Sequence, residues 1–165
     1  MKIGVISDTH LAGVTPAFTG LLNNELGEAD IIVHAGDHVG AGIMEYLEFM
    51  DRRPYYGVAG NMDPVAISSV LPREVAFEAG GLLFGVIHGW GPPSTILSSV
   101  KEHFAILPDV VIFGHSHLPL VEGIEGTLFV NPGSAFDKRF APSRTAAIID
   151  VVGGEAEANI LELGK

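Results

Sequence analysis

The sequence predicts an α/β protein in which two β-sheets pack on one another with helices on their outer faces. Three observations carry that prediction. The first half of the chain alternates short apolar runs with segments of helical spacing, a β-α-β-α-β order that implies a parallel sheet. The second half is mostly strand-like, its runs joined by glycine and proline turns, so a second sheet has to cover the first. With 165 residues, 47% hydrophobic and only 18% charged, the chain has the material for a real core. At this length one domain over residues 1–165 is expected, burying roughly two thirds of its unfolded surface.

Taken in order, "KIGVIS" (2–7) is an apolar run of strand length. From Pro16 to about Leu26, the spacing of Phe18, Leu21, Leu22 and Leu26 predicts a helix. "DIIVHAGD" (30–37) is the next strand, Ile43 to Met50 the next helix, and "YYGVAGN" (55–61) a third strand after Pro54. "LLFGVIHG" (82–89) and "DVVIFGHSH" (109–117) bracket a helix from about Thr95 to Leu107. "GTLFVNPGS" (126–134), "TAAIIDV" (145–151) and "AEANILEL" (156–163) complete the strands.

Composition excludes several functions. A formal charge of −11, with basic pairs only at Arg52-Arg53 and Lys138-Arg139, repels a long nucleic-acid duplex. No apolar stretch reaches the roughly 18 residues of a membrane helix, and Met1-Lys2-Ile3 enters a strand pattern directly, so a cytoplasmic protein is expected. The chain has no cysteine, which leaves His, Asp, Asn and Glu as the available metal ligands. The sequence does not indicate the oligomeric state, and a homo-oligomer is compatible with it.

The polar residues cluster at strand exits. Asp8-Thr9-His10 follows the first strand, Gly36-Asp37 the second, Gly60-Asn61 the third, His88-Gly89 the next, and Gly114-His115-Ser116-His117 the fifth. Singly, each has a plainer reading: Asp and Asn after Gly form turns, and His88 could be a satisfied core histidine. Jointly, they supply seven oxygen or nitrogen donors on five exits. Buried carboxylates and imidazoles are costly unless paired or bound to metal. Seven donors exceed one tetrahedral ion and suit two ions with a shared carboxylate.

In that order, "ISDTH", "VHAGD", "GNMD", "GHSH" and "NPGS" resemble the calcineurin-like metallophosphoesterase superfamily, and with the short chain they are similar to its small, capless YfcE-like phosphodiesterase branch. The resemblance runs from residue 3 to about residue 150. It implies a four-layer α/β/β/α sandwich of two mixed sheets flanked by helices, and hydrolysis of phosphodiesters by a hydroxide bridging two metal ions. It assigns Asp8, His10 and His117 to one ion, Asn61, His88 and His115 to the other, and Asp37 as the bridge, with Asp37, Asn61 and His88 also counted as catalytic. His115 and His117 then serve both ions of a pair roughly 4 Å apart, and Ser116 is a spacer. Two divalent ions against Asp8 and Asp37 leave a centre of about +2, which can hold an anionic phosphoester on an acidic protein. A His-rich donor set disfavours Mg²⁺ and Ca²⁺ and leaves Mn²⁺, Ni²⁺, Fe²⁺, Co²⁺ or Zn²⁺.

One position departs from the pattern. Where many family members have a histidine thought to protonate the leaving group, this chain has Met62, which donates no proton. His38 and Asp63 are candidate replacements, each with the alternative of a solvated loop residue. "GDHVGAG" lacks the Asp-Arg-Gly of the protein-phosphatase branch. Arg139 and Arg144 are candidates to hold a phosphate or else surface charges, and His34 and His103 read as structural. Ser7 and Ser134 lack the Gly-x-Ser-x-Gly elbow of a serine hydrolase. A small phosphoester is the expected substrate. The alternatives are a phosphomonoesterase or a non-catalytic scaffold such as the retromer subunit, which resembles this fold.

Overall fold

The computed structural model describes residues 1–164 and contains, among these, ten strands in two five-stranded mixed sheets. The first sheet is built on β1 (Lys2–Ile6), β2 (Ile31–His34) and β3 (Tyr55–Gly57), which run parallel. The chain returns to it at the end, where β9 (Thr145–Val152) pairs antiparallel with β1 and β10 (Glu155–Glu162) antiparallel with β9. Its order is β10-β9-β1-β2-β3. The second sheet holds β5 (Leu82–Ile87), β6 (Val110–Ile112) and β8 (Thr127–Asn131) in parallel. Its edges are antiparallel: β4 (Glu74–Ala79) on β5, and β7 (Leu120–Ile124) on β8.

Side-chain alternation sorts these strands into four layers. Successive residues of a strand point to opposite faces. Ile3 and Val5 of β1, Ile31 and Val33 of β2, and Ile149 and Val151 of β9 meet Phe84 and Val86 of β5 and Val110 and Ile112 of β6 between the sheets. Tyr56, Phe77 and Phe84 stack there in series, with ring centroids 3.9 and 5.0 Å apart. The opposite face of the first sheet, Ile6 and Ile32 with Ala146, is covered by Phe18, Leu21 and Leu22 of α1 (Pro16–Asn23) and by Ile43 of α2 (Ala41–Glu45). The outer face of the second sheet, Val111 and Phe129, is covered by Ile96 and Val100 of α4 (Ile96–His103). This is the α/β/β/α sandwich expected from the resemblance.

Several boundaries differ from the sequence expectation. α1 stops at Asn23 because Arg53 reaches in to donate to the carbonyls of Leu22 and Leu26 at 3.1 and 2.6 Å. The helix expected over 43–50 starts as α2 and ends in a π-helical turn, Tyr46–Met50, with Asp51 N–H bonded to the Tyr46 carbonyl. α4 stops at His103 because Phe104 is extended and packs its ring into the layer beneath. A one-turn helix, α3 (Val65–Ser68), and the edge strands β4 and β7 were not anticipated. No helix among the described residues is long and apolar enough to cross a membrane.

Candidate metal centre

Parallel strands put their carboxyl ends on one edge, and crevices at that edge are where open α/β sheets bind ligands. Here both sheets contribute. Asp8 and His10 follow β1, Asp37 follows β2, Asn61 lies beyond β3, His88 follows β5, and His115 and His117 follow β6. The structure brings all seven together.

Around Asp8, His117 Nε2 is 3.4 Å and His88 Nε2 3.9 Å from Oδ1, and His10 Nε2 is 3.2 Å from His117 Nε2. Around Asn61, His88 Nε2 and His115 Nδ1 lie 3.1 and 2.9 Å from Oδ1. Asp37 stands between the groups, its Oδ2 being 3.6 Å from His10 Nε2 and 3.5 Å from His88 Nε2. Single donor atoms of Asp8, His10 and His117 lie within 4.8 Å of one another, as do those of Asp8, Asp37 and His88.

These residues fit cations on structural grounds. Asp8 Oδ1 is buried without a hydrogen-bond partner although imidazole nitrogens surround it. An orphaned carboxylate oxygen costs its full desolvation unless a cation meets it. His88 Nδ1 donates to the Ala35 carbonyl at 2.7 Å, which fixes the ring and aims Nε2 into the cluster. The donor set is nitrogen and oxygen only, four imidazoles, two carboxylates and an amide, suited to divalent transition metals.

The electrostatics follow the burial. Burial pushes Asp8 up to about 7, with His88 and Ser7 acting against it. Burial also works against a charged His88, but its bond to Asp37 and the field of Asp8 win and raise it to about 9. Asp37 goes the other way: burial is its largest single influence and raises it, but the bond and charge of His88, the Met62 N–H and the field of His10 together hold it below the usual carboxylate value. His10, His115 and His117 are all lowered by burial.

The backbone carries strain for this arrangement. Asp8, His10, Asp37, His115 and His117 all have φ between 48° and 68°, a left-handed region that costs any side chain some energy although Asp and His enter it more readily than most. Close packing of the exits holds them there. At Gly114 a Cβ would run into Ser7 Oγ and lie 2.7 Å from Asp8 Oδ2, so that glycine is required for space rather than for a turn.

Residues that the sequence left without a chemical role hold the exits. Ser7 Oγ donates to Asp8 Oδ2 at 2.6 Å and Ser134 Oγ to the Asp8 carbonyl at 2.7 Å, so both serines are buried braces and not nucleophiles. Asn131 of "NPGS" donates to the Gly114 carbonyl at 2.7 Å and to Ser116 Oγ at 3.1 Å. Ser116 is therefore more than a spacer, since its hydroxyl also accepts from Leu118 N–H. Asp137 Oδ2 lies 3.7 Å from His117 Nδ1 and is held by Arg139.

His38 and Asp63 are neither solvated loop residues nor free acids. Both side chains are fully buried, with His38 Nδ1 3.2 Å from Asp63 Oδ2 and His38 Nε2 2.8 Å from the Tyr55 hydroxyl. Asp63 accepts from the N–H groups of Asp37, Val39 and Gly60 at 3.1, 2.8 and 2.8 Å and so ties the Asp37 loop to the Asn61 loop. The Met62 side chain is exposed, while its N–H donates to Asp37 Oδ1 at 2.7 Å. His34 is buried as expected, stacked on His38 at 3.6 Å, whereas His103 is exposed and bonded to Glu74. Arg139 lies on the rim beside His10 and Met62; Arg144 lines a separate hollow with residues of α1.

Comparison with known proteins agrees with this geometry. Residues 1–154 match the Calcineurin-like phosphoesterase superfamily domain. The chain belongs to that superfamily. It is similar to a probable metallophosphoesterase of Mycoplasma pneumoniae, 34% identical over 139 residues that cover 81% of this chain and 78% of the relative. Among solved structures, an archaeal phosphodiesterase superposes with a TM-score of 0.73 at 26% identity, covering 98% of this chain and all of the other. A single mutant of Vps29 from Entamoeba histolytica gives 0.70 at 21% identity, covering 99% and 100%, and so shares the fold.

Proposed function

We propose that this chain is a di-metal phosphodiesterase in which Asp8, His10 and His117 hold one divalent ion, Asn61, His88 and His115 the other, and Asp37 bridges them. The observation that carries the reading is the gathering of seven donors from five strand exits into two adjoining groups, five of them in the group of Asp8, whose Oδ1 is buried and partnerless, and Asn61 and His115 beside His88. Two such ions supply Lewis-acid polarisation of the phosphoryl oxygens and acidify a water for attack on phosphorus. Asp37, held at Oδ1 by Met62 N–H, keeps Oδ2 facing both donor groups. His88, fixed through Ala35, keeps its ring edge toward Asn61.

A diester fits this surface better than a monoester. Hollows of about 650 and 520 Å³ flank the centre, one beside Asn61 and His88, the other beside His10 and Met62, giving room for a substituent on each side of the phosphorus. The cation on the His10 side, Arg139, is already paired with Asp137, which leaves less to neutralise a dianionic monoester. Neither candidate for the missing histidine's role is a free acid, since His38 and Asp63 are occupied with each other, and Met62 has no proton to give.

Metal titration by calorimetry or native mass spectrometry tests the reading, together with turnover of bis(p-nitrophenyl) phosphate against p-nitrophenyl phosphate. Two ions per chain and preference for the diester are expected. Asp37→Ala should cost more activity than the roughly 10- to 100-fold typical of losing an outer-shell partner and should weaken both ions. Asn61→Ala and His88→Ala should weaken mainly one. A stoichiometry that stays at zero sinks the enzyme reading, and full retention of both ions by the Asp37 variant removes the bridge.

A further inference from the structure

The larger hollow beside the centre has a wall that metal binding does not use. His88 and Asn61 line it, and so do Trp90, His103, Glu74 and Arg73. Trp90 stands two residues past His88 with 46% of its surface exposed. A large exposed aromatic is unremarkable alone, but this one is held in place at the mouth of a reactive site. The His103 ring meets it edge-on, with centroids 5.5 Å apart at 76°. His103 is in turn fixed by Glu74, 2.7 Å from Nε2, and by an edge contact with Phe104 at 5.2 Å. The indole is thus braced from one side.

We infer that Trp90 is a stacking platform for a nucleobase, and that the substrate is a nucleoside-bearing phosphodiester whose base enters this hollow while its phosphorus sits at the Asp37 centre. The inference rests on the phosphodiesterase reading for the reaction and adds the substrate class. About 650 Å³ is within the range of small-molecule sites and holds a nucleoside rather than a bare alkyl group. An indole that shares its hollow with a carboxylate, a guanidinium and a hydroxyl matches a base, which offers a π-face together with donors and acceptors on its edges. Glu74, Arg73 and Ser68 supply those groups in the lining.

Trp90 is the only tryptophan in the chain, so its fluorescence reports the contact directly. In metal-loaded protein, adenosine monophosphate should quench it saturably, and ribose 5-phosphate, with the same phosphate and sugar but no base, should not. Trp90→Ala should weaken adenosine monophosphate binding roughly 5- to 150-fold by calorimetry and leave inorganic phosphate binding unchanged. The same variant should lose the preference for thymidine 5′-(p-nitrophenyl phosphate) over methyl p-nitrophenyl phosphate and still cleave the methyl ester normally. Equal response to the two monophosphates, or unchanged nucleotide affinity in Trp90→Ala, overturns the base site while leaving the reaction intact. Absence of turnover of both esters, with quenching retained, overturns the reaction and leaves the base site.

Discussion

Replacing Asp63 separates a positioning carboxylate from a general acid. Its two oxygens accept from three backbone N–H groups and from His38, and the side chain is fully buried. Burial alone would raise its pKa, yet the bond from His38 and the backbone N–H bonds hold it below the usual carboxylate value, so it is an anion at neutral pH. Asp63→Ala orphans four donors at about 1–3 kcal/mol each if none finds water. Gly60 and Val39 are half-buried and can be resolvated, so the expected loss is about 3–5 kcal/mol, the range for breaking a buried pair by removing one partner. That is a large share of the ~5–15 kcal/mol that holds a typical domain folded. Urea unfolding of the metal-free variant against wild type measures it. Because the clamp ties the Asp37 and Asn61 loops, the milder Asp63→Asn should lower metal affinity roughly 10- to 100-fold. It should not alter the dependence of rate on leaving-group pKa. A loss under about 1 kcal/mol with unchanged metal affinity refutes the clamp, and a steeper leaving-group slope in Asp63→Asn makes Asp63 the acid after all.

Met62→His should flatten the plot of log rate against leaving-group pKa for methyl aryl phosphates, with gains of up to about 10² to 10⁴ for the poorest leaving groups; a shallow slope already present in wild type would mean that another group protonates the departing oxygen. The exposed side chain leaves room for the imidazole, and the Asp37 bond uses the backbone N–H, which the substitution keeps. His34 predicts an acid-labile fold: its burial, with His38 against it, holds its pKa well below the usual 6.5, so below that pH the unfolded chain takes up a proton that the folded one refuses. Stability should therefore fall as pH drops below about 6.5, His34 adding up to about 1.4 kcal/mol per pH unit, and unfolding curves of wild type and His34→Gln between pH 5 and 7 should differ in slope by about one proton. Parallel curves would show that His34 is not the residue responsible.

What the sequence determined by itself follows from local chemistry. β1, β2, β5 and β6 are continuous apolar runs because both their faces are covered, one by the other sheet and one by helices, and such runs stand out against charged turns. The seven donors were legible because each lies shortly beyond the end of a strand and because their order along the chain is specific. The edge strands were harder. β7 is largely exposed, contains Gly123 and has no alternation to read; β4 does alternate, but with two glutamates in six residues it reads equally well as a loop. Partnership was beyond the sequence altogether. Ser134 braces Asp8 from 126 residues away, Asn131 holds the Gly114 turn, and Asp63 gathers the N–H groups of two loops. Each of those residues is an ordinary turn former in its own neighbourhood. Only when the two sheets stack, and their carboxyl ends share one edge, do buried donors and acceptors have to find each other, and that requirement made Ser7 and Ser134, which had no role in the sequence reading, and His38 and Asp63, which were candidate acids, into the frame of the site.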